Sequence, residues 1–244
     1  MSQANTSASD QPAHRRRRAL RWALSGVLLL GMLAGLMWYG RALVAPQPER
    51  FASGVMTDGA ALVQLQQAPL AQRFLRDFRT QALWSSCGPA SLRNVLASLN
   101  RPVARERDLF QGDTLAWLRM LATGMTLDEV AALAKATGIG HVQVRRDLSE
   151  QDLRTLLRSL STPGRRLIVN FDRAPIHGVA LGHFSPIGGY DPASDRVLLL
   201  DVTPGFGMQL VPTALLAAAM RTEDPVTGRQ RGLIQIDAKP SDAD

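Results

Sequence analysis

The one thiol in this 244-residue chain is Cys87, in the run Gln81-Ala82-Leu83-Trp84-Ser85-Ser86-Cys87-Gly88-Pro89-Ala90-Ser91-Leu92. Pro89 suits a first helical turn, and Leu92, Val95, Leu96 and Leu99 repeat as an inward stripe, so Cys87 is expected to open a helix. A thiol there meets unpaired N–H groups and the positive end of the macrodipole, which favour thiolate below the usual thiol pKa of about 8.5. The same N–H groups can face an oxyanion, and the Gln81 amide can add a donor. Taken alone, a cysteine at a helix start is more often a buried structural residue.

A base and an acid lie further along. His183 stands in Gly182-His183-Phe184-Ser185-Pro186-Ile187-Gly188-Gly189-Tyr190, and Asp201 ends the apolar run Val197-Leu198-Leu199-Leu200-Asp201. Between them, Asp191-Pro192-Ala193-Ser194-Asp195 is turn chemistry. A hairpin centred near Ala193 sets residue 185 opposite 201. His183 and Asp201 then share parity and fall on one face. In that arrangement the carboxylate fixes the imidazole tautomer while the other ring nitrogen serves the thiol. Blander explanations exist: Asp201 as a strand-end turn residue, and His183 as a satisfied strand histidine. His177, in the loop 172–181, is the rival base. One cysteine and scattered histidines give no metal-ligand spacing, so no metal site is expected.

The elements that must position these groups are helices first and strands afterwards. Residues 61–80 suggest a helix broken near Pro69, Thr126 with Glu129 a capping box ended by Gly138, and 149–160 a further helix. Arg166–Phe171, His183–Tyr190 and Arg196–Val202 have strand character. Val211–Met220 suggests a helix with Pro212 in its first turn, and Gly232–Ile236 a last strand. This order indicates an α+β fold with an antiparallel sheet.

The charge of +7 is uneven: five arginines lie in the first 21 residues, leaving 23 basic against 20 acidic residues for the rest. No dense basic face is available, so a nucleic-acid partner is not expected. Ala23–Tyr39 carries no charge, and Trp22 to Gly40 as a helix would span about 28 Å, close to a hydrocarbon core. With the arginines on the cytoplasmic side, these features predict an uncleaved single-pass anchor in the inner membrane and a domain facing the periplasm. The expected organisation is a disordered basic tail over 1–21, a transmembrane helix over 22–40, a linker over 41–60, a catalytic domain over 61–238 and a tail over 239–244.

Together, Ser86–Leu92, Val169-Asn170-Phe171-Asp172-Arg173, the Gly182–Tyr190 block and Leu199-Leu200-Asp201-Val202 resemble the catalytic domain of phytochelatin synthase, over about residues 60 to 236. Short bacterial members without a cysteine-rich C-terminal extension are the closer likeness. The resemblance implies a papain-like fold. It also implies attack on the Cys–Gly bond of glutathione, release of glycine and a γ-glutamylcysteinyl thioester passed to water or to a second glutathione. Carried over by position, Cys87 is the nucleophile, His183 the base and acid, Asp201 the orienting group and Gln81 the oxyanion donor. Asp224 and Arg231 would hold the γ-glutamyl end, with Arg173 and Gly182 in the same substrate-binding set.

The resemblance implies no built-in cofactor, though divalent metal ions or metal–glutathione complexes are candidate stimulators in a metal-detoxifying role. Homodimerisation stays open. Where the family continues past the acid with an arginine and an aromatic, proline-rich run, this chain has Thr203-Pro204-Gly205-Phe206-Gly207. That departure, with the missing cysteine-rich tail, leads to the expectation that hydrolysis dominates over polymer synthesis. Two alternatives remain: a papain-like leader peptidase, and a non-catalytic domain binding γ-glutamyl peptides.

Overall fold

The computed structural model describes residues 11–43 and 45–239, without the side chains of 11–17, 19 and 36–43. It divides into two compact units, residues 1–45 and 46–244. Among the described residues the first holds one helix, α1 (Gln11–Leu43). Its described side chains run from Arg18 to Gly35, with Arg18 and Arg21 at one end. The side chains at 36–40, the far end of the expected span, lie outside the described residues. No helix among the described residues is long and apolar enough to cross a membrane. This overturns the expected anchor over 22–40 and, with it, the placement in the inner membrane facing the periplasm.

The second unit is helical at its start and sheet-rich afterwards. Helices α2 (Ala60–Gln66) and α3 (Pro69–Leu75) are separated at Pro69, whose ring suits a first helical turn. Then follow α4 (Cys87–Ser98), α5 (Thr114–Thr123), which the sequence reading did not identify, and α6 (Leu127–Ala136). Thr126 and Glu129 close the expected capping box on α6: the Glu129 N–H donates to the Thr126 hydroxyl and the Thr126 N–H to the Glu129 carboxylate. Strand β1 (Gly140–Arg145) leads to α7 (Glu150–Arg158) and β2 (Arg165–Asp172), and the short α8 (Ala174–His177) precedes β3 (Gly182–Asp191). The chain closes with β4 (Arg196–Leu200), β5 (Met208–Pro212), α9 (Thr213–Met220), the small hairpin β6 (Glu223–Asp224) and β7 (Arg229–Gln230), and β8 (Gly232–Ala238).

Six strands form one antiparallel sheet in the order β1-β8-β2-β3-β4-β5. Its two faces carry separate cores. Leu92, Val95, Leu96 and Val130 of α4 and α6 pack with Ile168, Phe184, Leu198 and Ile234. On the other face, Leu153, Leu157 and Leu216 of α7 and α9 pack with Val169, Phe171, Ile187 and Leu199. The helix expected from Val211 starts at Thr213 instead. Met208–Pro212 pairs along β4 as β5, because the loop through Gly205 and Gly207, both at positive φ, turns the chain back onto that edge. Pro212 sits at the strand's end, where its missing N–H does not interrupt the ladder. From Pro46 on, the segment expected as linker packs into this unit: the Ala52 N–H donates to Ile176 O and the Met56 N–H to Leu210 O.

Candidate active site

Cys87 is the first residue of α4, and it is half-buried. No side-chain cap occupies the helix start. The Gly88 N–H and, from β3, the Phe184 N–H reach the thiol. A Cβ on Gly88 would come within 2.6 Å of Val130 Cγ2 and 3.7 Å of Phe184 Cδ2, so glycine here lets α4 lie close against α6 and β3. The thiol is thereby seated beside the residue that follows His183.

His183 is 3% exposed and Asp201 fully buried, and His183 Nε2 lies 3.1 Å from Asp201 Oδ1. That contact makes Nε2 the donor and leaves Nδ1 to accept a proton. The imidazole plane stands perpendicular to the ring of Phe171, its cross-strand neighbour, at 5.6 Å between ring centroids.

The pair shares a face because of a bulge. Near the turn, Asp191 pairs with Arg196 and Tyr190 with Val197, a frame one residue away from the hairpin expected around Ala193. Continued unbroken, that frame would put His183 and Asp201 on opposite faces, since a slip of one residue inverts every side chain. The register shifts between Ile187 and Gly189, so that Ile187 pairs with Leu199. The expected frame is restored just where the site needs it. Gly188, the residue inside the shift, could not carry a Cβ without placing it 2.9 Å from the Leu200 side chain.

Beneath the acid lies a residue that the sequence reading had placed with substrate. Arg173 is 1% exposed, and its Nη2 donates to both Asp201 oxygens, at 2.8 and 2.7 Å, and to Thr203 Oγ1 at 2.7 Å. The guanidinium stacks 3.9 Å above the Phe206 ring. Arg173 therefore meets the acid of the pair within the interior. No local motif signals this, because the contact spans 28 residues of sequence. The rival base is also accounted for. His177 is 1% exposed, its Nε2 lies 2.7 Å from Gln209 Oε1, and its Nδ1 lies 3.4 Å from Arg173 Nη1. Both ring nitrogens are thus committed.

The Gln81 amide gives its hydrogens to Leu83 O and Trp84 O, each at 2.9 Å, and the Thr203 hydroxyl donates to its oxygen at 3.5 Å. The Gln81 N–H also donates to Val202 O. Gln81 thus binds the loop before Cys87 to the strand end that carries Asp201. Arg231 is 6% exposed and lies against Gly182, where a Cβ would come within 2.5 Å of its Nη1. Its Nη2 is 3.9 Å from Asp172 Oδ2, and its Nε has no partner. Asp224 turns to its own hairpin, accepting from the Val226 N–H at 3.0 Å.

Burial pushes the Cys87 thiol above its ordinary value, outweighing the Phe184 N–H, the charge of Arg173 and the Gly88 N–H. This reverses the expectation of a thiolate stabilised by the helix start: desolvation of the anion exceeds what two N–H groups and a nearby cation return. Burial and the Arg173 charge push His183 down, against the pull of Asp201. Burial also opposes the charge on Asp201, but the His183 ring, Arg173 and the Thr203 N–H hold it ionised well below the usual carboxylate range. With His183 itself held neutral, Arg173 is the charge that persists at rest. Among the described residues no cluster of three or more His, Cys, Asp or Glu could hold a metal ion.

The family model for phytochelatin synthase matches residues 58–233. Curated relatives include glutathione gamma-glutamylcysteinyltransferase 3 of Lotus japonicus, 36% identical over 65% of this chain and 36% of the relative. The enzyme numbered 1 from Triticum aestivum is 34% identical over 83% and 43% respectively. The chain thus spans about two fifths of the length of these relatives. Among solved structures, the peptidase domain of Streptococcus ComA, a bi-functional ABC transporter, aligns with a TM-score of 0.41 and 18% identity over 66% of this chain and 97% of that domain. On the match over residues 58–233, the chain belongs to the phytochelatin synthase family.

Proposed function

We propose that this chain is a cysteine-nucleophile enzyme that cleaves the Cys–Gly bond of glutathione and carries the γ-glutamylcysteinyl group on Cys87. The His183–Asp201 pair at 3.1 Å, with His183 on the strand whose Phe184 N–H reaches the Cys87 thiol, is the observation that carries this reading. The names of the relatives supply the substrate and the group transferred.

In the proposed mechanism, His183 Nδ1 takes the thiol proton as Cys87 Sγ attacks the cysteinyl carbonyl. The oxyanion forms toward the start of α4, where backbone N–H groups point outward. His183 returns the proton to the leaving glycine nitrogen, giving a thioester. Water then yields γ-glutamylcysteine, or the amino group of a second glutathione yields a phytochelatin. Asp201 orients and steadies the imidazolium that forms transiently.

Arg173 acts in this reading as a positioning residue that keeps Asp201 ionised, and Gln81 as the brace of the Cys87 loop. Arg231, next to His183 through Gly182, is assigned to the γ-glutamyl carboxylate, for which a guanidinium fork is suited. Incubation with glutathione, with and without a divalent metal ion and followed by mass spectrometry, should give glycine and γ-glutamylcysteine in excess of oligomers. A spectrum dominated by longer oligomers would overturn the hydrolytic preference, and intact glutathione would overturn the activity.

A further inference from the structure

A cavity of about 630 Å³ lies apart from the site described, lined by none of Cys87, His183 and Asp201. It falls within the 300–1,000 Å³ typical of small-molecule pockets. Its lining includes Leu65 of α2, Leu70 of α3, and Leu160 and Pro163 from the turn after α7. Tyr190 of β3 also lines it.

Three lining residues are arginines, Arg73, Arg158 and Arg166, and none is acidic. Arg166 is 3% exposed and already engaged, donating to Ser98 Oγ, Ser98 O and Arg165 O. Its pKa is pushed down to about 10 by burial and then by the charge of Arg73. Arg73 is half-buried and, among the described residues, makes no hydrogen bond or ion pair. Arg158 is exposed, with its guanidinium carbon 5.9 Å from the centroid of the Tyr190 ring. Like charges gathered beside apolar walls, without a carboxylate among them, are relieved by an anion.

We propose that this cavity is a binding site for a small amphipathic carboxylate, its apolar body between Leu65, Leu70 and Leu160 and its carboxylate on Arg73 and Arg158. A planar guanidinium matches a carboxylate through two parallel hydrogen bonds. The apolar walls then supply most of the affinity and the arginines the selectivity for charge.

Calorimetric titration of the full chain with decanoate, below its micelle concentration, tests this. Saturable one-to-one binding is expected, weakened at least tenfold by Arg73→Glu and abolished by Ala68→Phe, which adds bulk to the lining. Acetate, decanol and decyltrimethylammonium should each fail to reproduce it. The Cys87→Ala protein should bind decanoate as the unmodified chain does, with glutathione not competing. Arg73 has no partner to lose, so its reversal keeps the test valid if Ala68→Phe disturbs the fold. Absence of saturable binding, equal binding of the cation, indifference to Arg73→Glu, or displacement by glutathione would each overturn the proposal.

Discussion

At the residue scale, the arrangement around Asp201 places a large burden on one buried carboxylate, which meets His183, Arg173 and the Thr203 N–H together. Replacing Arg173 by Met leaves that charge without its cation. The expected loss is about 3–5 kcal/mol of stability, as for breaking other buried pairs, read from urea midpoints. The shifts of Cys87 upward and His183 downward predict a neutral thiol and imidazole at rest. Alkylation of Cys87 by iodoacetamide should then keep rising with pH beyond about 8.5; a plateau reached below pH 7 would instead reveal a resting ion pair. His177 has its own consequence. Burial, then Arg173, lowers its pKa from 6.5 to about 4, so between those values the unfolded chain binds the extra proton. Stability from this group is present above about pH 6.5 and lost as pH falls toward 4, amounting to roughly 2–3 kcal/mol at pH 4.5. His177→Gln should reduce the acid sensitivity, measured as the difference between unfolding free energies at pH 7 and 4.5.

At the element scale, the decisive features are a helix start and a bulge. Gly188 sits where β3 changes frame, and the Leu200 side chain occupies the space a Cβ would need. Gly188→Val should destabilise by about 1–3 kcal/mol through overpacking. Adding Leu200→Ala should recover part of that loss, a coupling that a double-mutant cycle would register and independent effects would not. Much of this level was legible in the sequence: Pro89 and the Leu92–Leu99 stripe placed α4, the Thr126–Glu129 box placed α6, and the Asp191–Asp195 turn placed the hairpin. The hairpin frame was one residue off at the turn, yet correct near His183, because the bulge compensates. Period-two alternation in Gly182–Tyr190 carries no mark of a bulge beyond its two adjacent glycines. Strand β5 was missed since Met208–Pro212 has a sheet role only through its pairing with β4.

At the scale of the whole molecule, the sheet brings together groups more than a hundred residues apart, and local motifs show the participants without their partners. Cys87, His183 and Asp201 could be picked out by residue type and spacing. Arg173 could not be assigned to Asp201, because only the folded sheet sets the end of β2 beneath the end of β4. The span over 22–40 was read from a run of apolar letters, and the described part of α1 does not sustain it.

The central claim is that Cys87 becomes acylated by glutathione with loss of glycine, and intact-protein mass spectrometry under reducing conditions tests it most directly. The account predicts one γ-glutamylcysteinyl group per chain, mapped to Cys87, with an equivalent of free glycine and no adduct in Cys87→Ala. A whole glutathione attached through a reducible disulfide, or no adduct with glutathione left intact, would contradict it.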